Sequence, residues 1–396
     1  MSEWGLDRIE RVFIDRKLEQ SQIAMRAREL FSRKRITWVD DEPLTEKKGE
    51  LSAPDFEASK RLLFITEFKG RFFKRCPGAR PGLTCCNYFV LNLGSQCNMN
   101  CSYCYLQSFV NSPVMKIYAN IETALDELSA LGKDLGNESL RVGTGETTDS
   151  LSFDPLTLYS RRLIEYFRNY PNWRLEFKTK SSQVEQFLNV EHAGNVVVSF
   201  SINPQNVIEH EEYGTASLES RLRAARIARD KKFQVAFHID PMIWHMGWQD
   251  SYRSLVRQVC ATFAPQDINV ISVGALRFQP EQRHMMRERF GKSRGDGQEW
   301  GPEHQQERQP TSWVVGAEMF SSSDGKLRYD QRLREEMLHF VVNEFRQNSR
   351  EWPIFLCMET PEVWLNAMNS LPKSNELVAP LFNHSLTRKF NAQIRN

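Results

Sequence analysis

The pattern of apolar and polar positions begins with a short mixed segment. Residues 11–14 (RVFI) are apolar after the first residue and are typical of a short strand. Apolar side chains then recur at helical spacing, at Ile23, Ala27, Leu30 and Phe31. Residues 40–55 are charged and contain two prolines, which indicates an exposed linker. A short α/β segment therefore precedes the main pattern.

From residue 87 onward, apolar runs typical of buried strands alternate with amphipathic helical stretches. The runs cover residues 87–94, 139–143, 174–178, 195–203, 233–239 and 268–278. Between the first two, a helix begins near Asn120 and is expected to stop at Gly132. This alternation predicts right-handed βαβ units and a parallel sheet. Six units predict a partial barrel, because a complete one needs eight.

The alternation fades beyond residue 290. Residues 291–310 are rich in Gly, Gln and charge, which indicates a loop. Residues 312–320 and 326–330 flank a turn and predict a hairpin, and helices are expected to close the chain. We predict an α/β chain with an N-terminal α/β extension (1–86), a partial (β/α)6 TIM-like barrel (87–290) and a C-terminal hairpin and helical region (291–396).

Composition narrows the class of protein but not its function. Of the 396 residues, 40% are hydrophobic and 26% charged, which is typical of a globular protein in solution. The net charge of +2 neither favours nor excludes a nucleic-acid partner. The N-terminus is charged from its third residue, and the uncharged stretch 81–115 is polar. We therefore expect no membrane span and a cytoplasmic location.

Three of the eight cysteines, Cys97, Cys101 and Cys104, form a C-x3-C-x2-C triplet after the first predicted barrel strand. This is the end of the sheet where barrel enzymes carry their chemistry. Three thiolates would hold a four-iron (4Fe–4S) cluster with one iron open. The alternatives are buried free thiols or a zinc site. Zinc needs a fourth ligand, whereas Cys85 and Cys86 are expected near the opposite face.

The triplet, with Tyr103 before its third cysteine, is similar to that of the radical S-adenosylmethionine (SAM) superfamily. The wider context resembles the spore photoproduct lyase family. The matching stretches are CSYCYLQ (101–107), TTDSLSFDPLT (147–157), KTKS (178–181), FSIN (200–203) and HMGW (245–248). The resemblance implies a radical SAM barrel whose cluster reductively cleaves SAM to a 5′-deoxyadenosyl radical. It also implies action on a thymine dimer in DNA and an electron donor such as a flavodoxin or ferredoxin.

The resemblance also implies roles for individual residues. Tyr103 matches an aromatic residue beside the adenine, and Tyr105 matches a tyrosine that relays a hydrogen atom. Lys180 and Ser201 match positions that hold the SAM carboxylate. Glu146 stands where the family carries its hydrogen-donor cysteine. Because Gly143-Thr144-Gly145-Glu146 resembles the superfamily motif that grips the SAM ammonium, we expect Glu146 to bind SAM.

Three functions remain open at this point. The first is an enzyme that repairs a damaged base in DNA, with phosphates gripped by a basic cluster at Arg283, Arg287, Arg289, Lys292 and Arg294. The second is a radical SAM enzyme on the same scaffold with a non-DNA nucleotide or small-molecule substrate. The third is a non-catalytic iron–sulfur protein that binds nucleic acid or regulates.

Overall fold

Strands and helices alternate along almost the whole described chain. The structure is a computed structural model and describes residues 3–43, 51–78, 83–84, 86, 88–135, 138–291 and 312–371. The strands are β1 (Arg11–Asp15), β2 (Ile36–Val39), β3 (Leu62–Thr66), β4 (Phe73–Arg75), β5 (Phe89–Leu91), β6 (Gly94–Ser95), β7 (Asn100–Cys101), β8 (Met115–Tyr118), β9 (Leu140–Gly143), β10 (Trp173–Thr179), β11 (Val196–Ser201), β12 (Glu212–Tyr213), β13 (Gln234–Met242), β14 (Ile268–Ala275), β15 (Arg277–Phe278), β16 (Phe320–Ser321), β17 (Leu327–Arg328) and β18 (Ile354–Leu356). The α-helices are α1 (Gln22–Leu30), α2 (Ala53–Ser59), α3 (Leu106–Phe109), α4 (Ile121–Leu135), α5 (Asp154–Thr157), α6 (Tyr159–Phe167), α7 (Gln205–Glu211), α8 (Leu218–Asp230), α9 (Trp248–Thr262), α10 (Gln282–Phe290), α11 (Trp313–Gly316), α12 (Gln331–Asn348) and α13 (Pro361–Met368).

The larger sheet confirms the predicted α/β fold, a partial TIM-like barrel. Its strand order is β18-β14-β13-β11-β10-β9-β5-β4, and every neighbouring pair is parallel except β4 with β5. The six predicted barrel strands are all present. A seventh parallel strand of the described chain, β18, and the edge strand β4 come from the flanking regions. Helices α6, α8 and α12 pack against β10, β11, β13 and β14.

Burial explains why these segments form strands and helices. Every residue of β11 is buried, as expected for a central strand covered on both faces. Helix α4 buries the predicted apolar stripe but runs through Gly132 to Leu135, so the predicted stop is wrong. A Cβ atom on Gly132 would lie 3.1 Å from the rings of Trp173 and Tyr170. This glycine therefore allows close packing rather than ending the helix.

A second sheet, with order β2-β1-β3-β8-β6, stands beside the barrel. It is parallel except at β6, which pairs antiparallel with β8. Helix α1 buries Ile23 and Ala27, but Leu30 is exposed, contrary to expectation, because the helix ends there and Phe31 enters the core. Since β5 belongs to the barrel and β6 to this second sheet, the chain passes from one sheet to the other just before the cysteine triplet.

The C-terminal region adds a small sheet and two helices to the barrel. The predicted hairpin exists, as β16 and β17 pair antiparallel and β15 joins β17. Its first strand was placed too early, because Ser312 caps a helical turn at α11 with its side chain. Most of the expected loop 291–310 lies outside the described residues. None of the helices in the described ranges has the length and apolar character needed to cross a bilayer.

Candidate functional site

The three cysteines of the triplet lie in one loop that begins where the two sheets meet. Strand β7, inside this loop, pairs antiparallel with β12, so that Cys101 lies opposite Glu212. The Cys104 N–H donates to the Cys101 carbonyl over 3.2 Å, and the Met99 N–H donates to the sulfur of Cys97 over 3.4 Å. The loop backbone is therefore folded around the thiols, with one N–H already directed at sulfur.

The thiols lie close enough to influence one another. Burial raises the pKa of Cys97 to about 11, with smaller contributions from Asp149 and Cys104, while Lys60 opposes the shift. Burial also raises the pKa of Cys101, and Lys180 opposes it. No three ligating side chains of the described residues converge as a single metal ion requires. A four-iron cluster does not need that convergence, because each thiolate binds a different iron.

Two consecutive buried carboxylates, Glu211 and Glu212, fasten the cysteine loop to the barrel. The Ser102 N–H donates to the Glu211 carbonyl over 2.8 Å, and the Ser102 hydroxyl bonds the Glu211 carboxylate. The Tyr103 hydroxyl bonds the Glu212 carboxylate. Sequence reasoning missed both glutamates. The only available signal was a pair of adjacent acids between apolar stretches.

The carboxylate of Glu212 is held by a completely buried arginine. Arg221 Nη2 lies 2.8 Å from Glu212 Oε2, and both side chains have 0% exposure. Arg221 also donates to the carbonyl oxygens of Ser201 and Ala216, over 2.8 and 2.9 Å. Burial alone would raise the pKa of Glu212, but Arg221 and Lys180 outweigh it and lower that pKa. Glu212 is therefore a fixed negative charge beside the cysteine loop.

Two lysines bring positive charge to the thiols from different parts of the chain. Lys60, at the end of α2, donates from Nζ to the Cys97 carbonyl over 2.6 Å. Lys180, at the end of β10, holds its Nζ 5.5 Å from the centre of the Tyr103 ring. Burial lowers the pKa of Lys180, but Cys101 and Glu212 outweigh it and raise that pKa. Lys180 was predicted as a site residue and Lys60 was not.

Glu146 lies at the end of β9, where the sequence placed it, and pairs with a lysine that the sequence did not suggest. Lys74 Nζ, from β4, lies 2.8 Å from Glu146 Oε2, and the glutamate side chain is 13% exposed. A Cβ atom on Gly145 would lie 2.6 Å from the Lys178 carbonyl oxygen. That glycine therefore lets the Glu146 turn approach the next strand closely. The Glu146 carboxylate already binds an ammonium group.

Tyr105 connects the cysteine loop to the end of β9. Its hydroxyl donates to the backbone carbonyl of Glu146 over 2.8 Å, and its side chain is 38% exposed. Burial raises the pKa of Tyr105 well above its usual value, with further contributions from Glu146, Cys104 and Cys76. The phenol is therefore protonated at neutral pH and lies within the electrostatic reach of two thiols.

Ser201 is buried at the end of β11, and its carbonyl receives the Arg221 bond described above. Its neighbour Asn203 donates to Glu212 over 2.9 Å and accepts from the Tyr252 hydroxyl over 3.1 Å. Asn203 is thus tied to the supporting network. Ser201, Lys180 and Glu146 all lie at C-terminal strand ends along one edge of the barrel sheet.

The interior of the barrel is polar and charged. Glu176 lies within 2.6 Å of Arg141 Nη2 and 3.1 Å of His238 Nε2, and Ser199 donates to it over 2.7 Å. Burial favours the neutral acid, but Arg141 and His238 outweigh it and lower the pKa of Glu176. The Tyr88 ring lies over Arg141, at 5.1 Å. The inward face of the barrel sheet is therefore lined here by polar and charged groups that bond one another.

Two expectations from the sequence are wrong. Cys86 was expected near the opposite face, but its thiol interacts with that of Cys357, directly after β18, and the Thr84 N–H donates to the Glu359 carbonyl over 3.0 Å. Thr84 and Cys86 therefore lie near the C-terminal end of β18. Cys85 lies outside the described residues.

The second correction concerns the basic cluster. Arg289 is turned inward, with its Nη2 2.6 Å from Glu57 and a further bond from Nη1 to Gln107 of 2.6 Å. The guanidinium of Arg289 is therefore already paired within the protein and is not available to bind a phosphate. Arg283 and Arg287 remain accessible on α10, while Lys292 and Arg294 lie outside the described residues.

Large apolar side chains are exposed on two segments that meet at the hairpin. Trp244 and Met246, on the loop after β13, are 42% and 92% exposed, and Phe320 on the hairpin is 48% exposed. The backbone N–H of Trp244 donates to the Tyr329 hydroxyl over 3.0 Å, which joins this loop to the end of the hairpin. His245, to which the sequence assigned no role, is buried and stacks on Trp313 at 4.4 Å.

Comparison with known proteins gives a consistent result. A family model described as spore photoproduct lyase matches residues 51–345. The chain is 33% identical over 181 residues to the spore photoproduct lyase of Bacillus subtilis (strain 168), covering 46% of this chain and 53% of that protein. It is 28% identical over 211 residues to that of Geobacillus sp. (strain Y412MC61), covering 52% and 62%. The matches thus span less than two thirds of these relatives.

Solved structures resemble this one in fold. A cysteine-to-alanine variant of spore photoproduct lyase superposes with a TM-score of 0.72 at 20% identity, covering 90% of this chain and all 100% of that one. A double variant with bound AdoMet and dinucleoside spore photoproduct gives 0.71 at 20% identity, covering 91% and 100%. At these identities, the likeness shows the shared fold.

Proposed function

The chain belongs to the spore photoproduct lyase family, and from that premise we propose that it is a radical SAM enzyme acting on a damaged or modified base in DNA. The observation that carries this proposal is the placement of Glu146 and Lys180 beside the cysteine loop, at the ends of neighbouring strands. The methionine part of SAM bears one ammonium and one carboxylate. A carboxylate and an ammonium on the protein are its complement in charge.

The residues of the loop fit a four-iron cluster held by Cys97, Cys101 and Cys104. Thiolates are the ligands such clusters take, and three leave one iron open. The Met99 N–H points at the Cys97 sulfur, and Lys60 and Lys180 supply positive charge next to the thiols. When bound, the cluster and SAM would supply the 5′-deoxyadenosyl radical, with an electron from a donor such as a flavodoxin or ferredoxin.

The chain's own residues would orient and confine that chemistry. Glu146 would accept the SAM ammonium in place of Lys74, and Lys180 with Ser201 would receive the carboxylate. Tyr103 is held by Glu212 and presents its ring beside Lys180, where an adenine can stack. Tyr105 is protonated and would exchange a hydrogen atom at its hydroxyl oxygen, which the Glu146 carbonyl orients.

The exposed apolar side chains support a nucleic-acid substrate. A base inside a duplex is out of reach, so an enzyme acting on it extrudes it, and aromatic rings stabilise unstacked bases. Trp244 and Phe320 offer such rings on the segments that meet at the hairpin.

A second candidate function follows from the presence of a glutamate at position 146. A carboxylate cannot donate a hydrogen atom as a thiol can, and here it stands where the resemblance puts a donor cysteine. This favours a radical SAM enzyme with a different substrate, in which SAM is consumed rather than regenerated. A non-catalytic regulator is the third candidate and would bind SAM without cleaving it.

One anaerobic experiment separates these candidates. After cluster reconstitution and reduction, the electron paramagnetic resonance (EPR) spectrum is recorded before and after adding SAM, and 5′-deoxyadenosine is measured with and without DNA containing spore photoproduct. Restored thymine supports the DNA lyase. SAM cleavage with no restored thymine supports the second candidate, and no cleavage supports the regulator. A cluster signal that survives Cys101→Ala would overturn the proposed ligand set.

A further inference from the structure

Within the part of the chain that the structure describes, Lys60 is a buried cation without a carboxylate partner. The residue is 4% exposed, its Nζ donates a hydrogen bond to the Cys97 carbonyl, and this Nζ lies 4.7 Å from the centre of the Phe56 ring. Among the described residues, no carboxylate oxygen lies within 4.0 Å of this ammonium. A buried charge is costly unless an opposite charge compensates it.

The ion pair between Glu57 and Arg289 lies near Lys60 but does not neutralise its positive charge. Glu57 sits one turn earlier on α2, but its carboxylate is bound by Arg289 at 2.6 Å and by Asn100 at 3.0 Å. Arg289 and Glu57 cancel in charge, so the group of Lys60, Glu57 and Arg289 retains a net charge of +1 (two cations less one anion). Burial lowers the pKa of Lys60, and the thiols of Cys104 and Cys97 oppose that shift, so negative charge on these sulfurs favours the protonated ammonium.

We infer that Lys60 is a positioning residue that tunes the reduction potential of the proposed cluster by placing one uncompensated positive charge next to its Cys97 and Cys104 ligands. The inference rests on the proposed function, because it needs a cluster in this loop. It goes beyond that function by assigning a redox role to a residue of the N-terminal extension, outside the cysteine motif and the barrel.

The direction of the effect follows from charge. A cluster on three thiolates is negatively charged, and reduction adds one further negative charge. A nearby buried cation therefore stabilises the reduced form more than the oxidised form and raises the reduction potential. The Phe56 ring and the surrounding core exclude water, so the interaction is weakly screened. Lys60 would thereby ease electron transfer into the cluster.

The test is an EPR-monitored redox titration of the reconstituted full chain and four variants. Lys60→Met keeps the length of the side chain and removes the charge, and Lys60→Arg keeps the charge. Glu57→Gln keeps the shape of the carboxylate and removes its negative charge. Lys17→Met removes an exposed lysine in the turn that follows β1 and serves as a control. Iron content and circular dichroism establish that each variant is folded and loaded.

We expect the potential to fall in Lys60→Met by at least the equivalent of a tenfold change in the reduction equilibrium, ~59 mV for a one-electron couple. It should rise in Glu57→Gln and stay at the wild-type value in Lys60→Arg and Lys17→Met. If Lys60→Met does not take up a cluster, the expected rise of the reduction potential in Glu57→Gln becomes the deciding measurement. A wild-type cluster whose potential is unmoved by Lys60→Met and Glu57→Gln overturns this inference alone. A wild-type chain with no cluster overturns the proposed function with it.

Discussion

Arg221 and Glu212 form an ion pair of 2.8 Å, with no exposed atoms on either side chain, next to the strand pair that carries Cys101. Replacing Arg221 with Met leaves a buried carboxylate without its cation, which costs about 3–5 kcal/mol. We expect the free energy of unfolding to fall by that amount in urea titrations. Arg223→Met, on the exposed face of the same helix, is the control. Equal losses in the two variants would contradict this account.

Tyr105 is expected to act after SAM cleavage rather than in SAM binding. Tyr105→Phe keeps the ring against Phe109, at 5.7 Å, and loses only the hydroxyl that donates to the Glu146 carbonyl. We therefore expect SAM to be cleaved at a near-normal rate, while the amount of 5′-deoxyadenosine released per product rises at least tenfold. The measurement is chromatography of both species. Tyr159→Phe, at a half-buried tyrosine whose hydroxyl donates to the Tyr118 carbonyl, is the matched control. A normal ratio in Tyr105→Phe would rule out the relay.

Among the described residues, Cys76 is the thiol outside the triplet that contributes to the raised pKa of Tyr105, and Glu146 also raises that pKa. Glu146 cannot donate the hydrogen atom that the family's donor cysteine gives. If Cys76 donates it instead, Cys76→Ala should lower product yield at least tenfold and leave SAM cleavage intact. The measurement is product formed in deuterated buffer, where an exchangeable thiol delivers deuterium. Cys260→Ala, on α9, is the control. Unchanged yield and label would assign the hydrogen to another group.

The sequence predicted the parts of this site that depend on local spacing. The triplet lies within eight residues. The resemblance to the family singled out Glu146 and Lys180, and their predicted places at C-terminal strand ends agreed with a shared edge of the sheet. The sequence did not predict Lys60, 37 residues before Cys97, or Glu211, 109 residues after Ser102. These partners meet the loop only through the packing of two sheets. No periodicity in the chain encodes that packing.

The same limit explains the errors. Cys86 was placed from its order before β5, but Thr84 and Cys86 contact the residues that follow β18. Arg289 appeared to belong to a solvated basic face, since its neighbours are charged. In the structure it turns toward Glu57, because α10 packs on α2 and α3. In both cases, contacts between distant parts of the chain were predicted from the order of neighbouring residues alone.

His238 predicts a loss of stability in mild acid. Its pKa is lowered to about 4, by burial first and then by Lys178, although Glu176 opposes the shift. In the unfolded chain the pKa of histidine is about 6.5. Because the folded state binds this proton less readily, the contribution of His238 is complete above about pH 6.5 and is lost as the pH falls toward 4. Between pH 6.5 and 5 the free energy of unfolding should fall by about 2 kcal/mol on this account.

Urea titrations of the wild type and His238→Gln across that pH range test this expectation. The other histidines are common to both proteins, so the difference between the two slopes isolates His238. The pKa of Glu176 is lowered from 4.5, so its own contribution is lost only below that pH. We expect the variant to be less stable at pH 7 but to lose less stability on acidification. Parallel slopes would show that His238 is not the group that titrates.

Trp244 provides the test of the nucleic-acid surface. Its backbone N–H donates to the Tyr329 hydroxyl, which ties this loop to the hairpin, and 42% of the residue is exposed. Stacking of one base on an aromatic ring contributes about 1–3 kcal/mol. Trp244→Ala should therefore weaken binding of lesion-containing DNA about tenfold or more in fluorescence anisotropy. The salt dependence should be unchanged, because no phosphate contact is lost. Arg287→Ala, on accessible α10, should instead reduce the salt dependence if that helix contacts phosphate. Equal affinity for the wild type and Trp244→Ala at several salt concentrations would place the DNA elsewhere on the molecule.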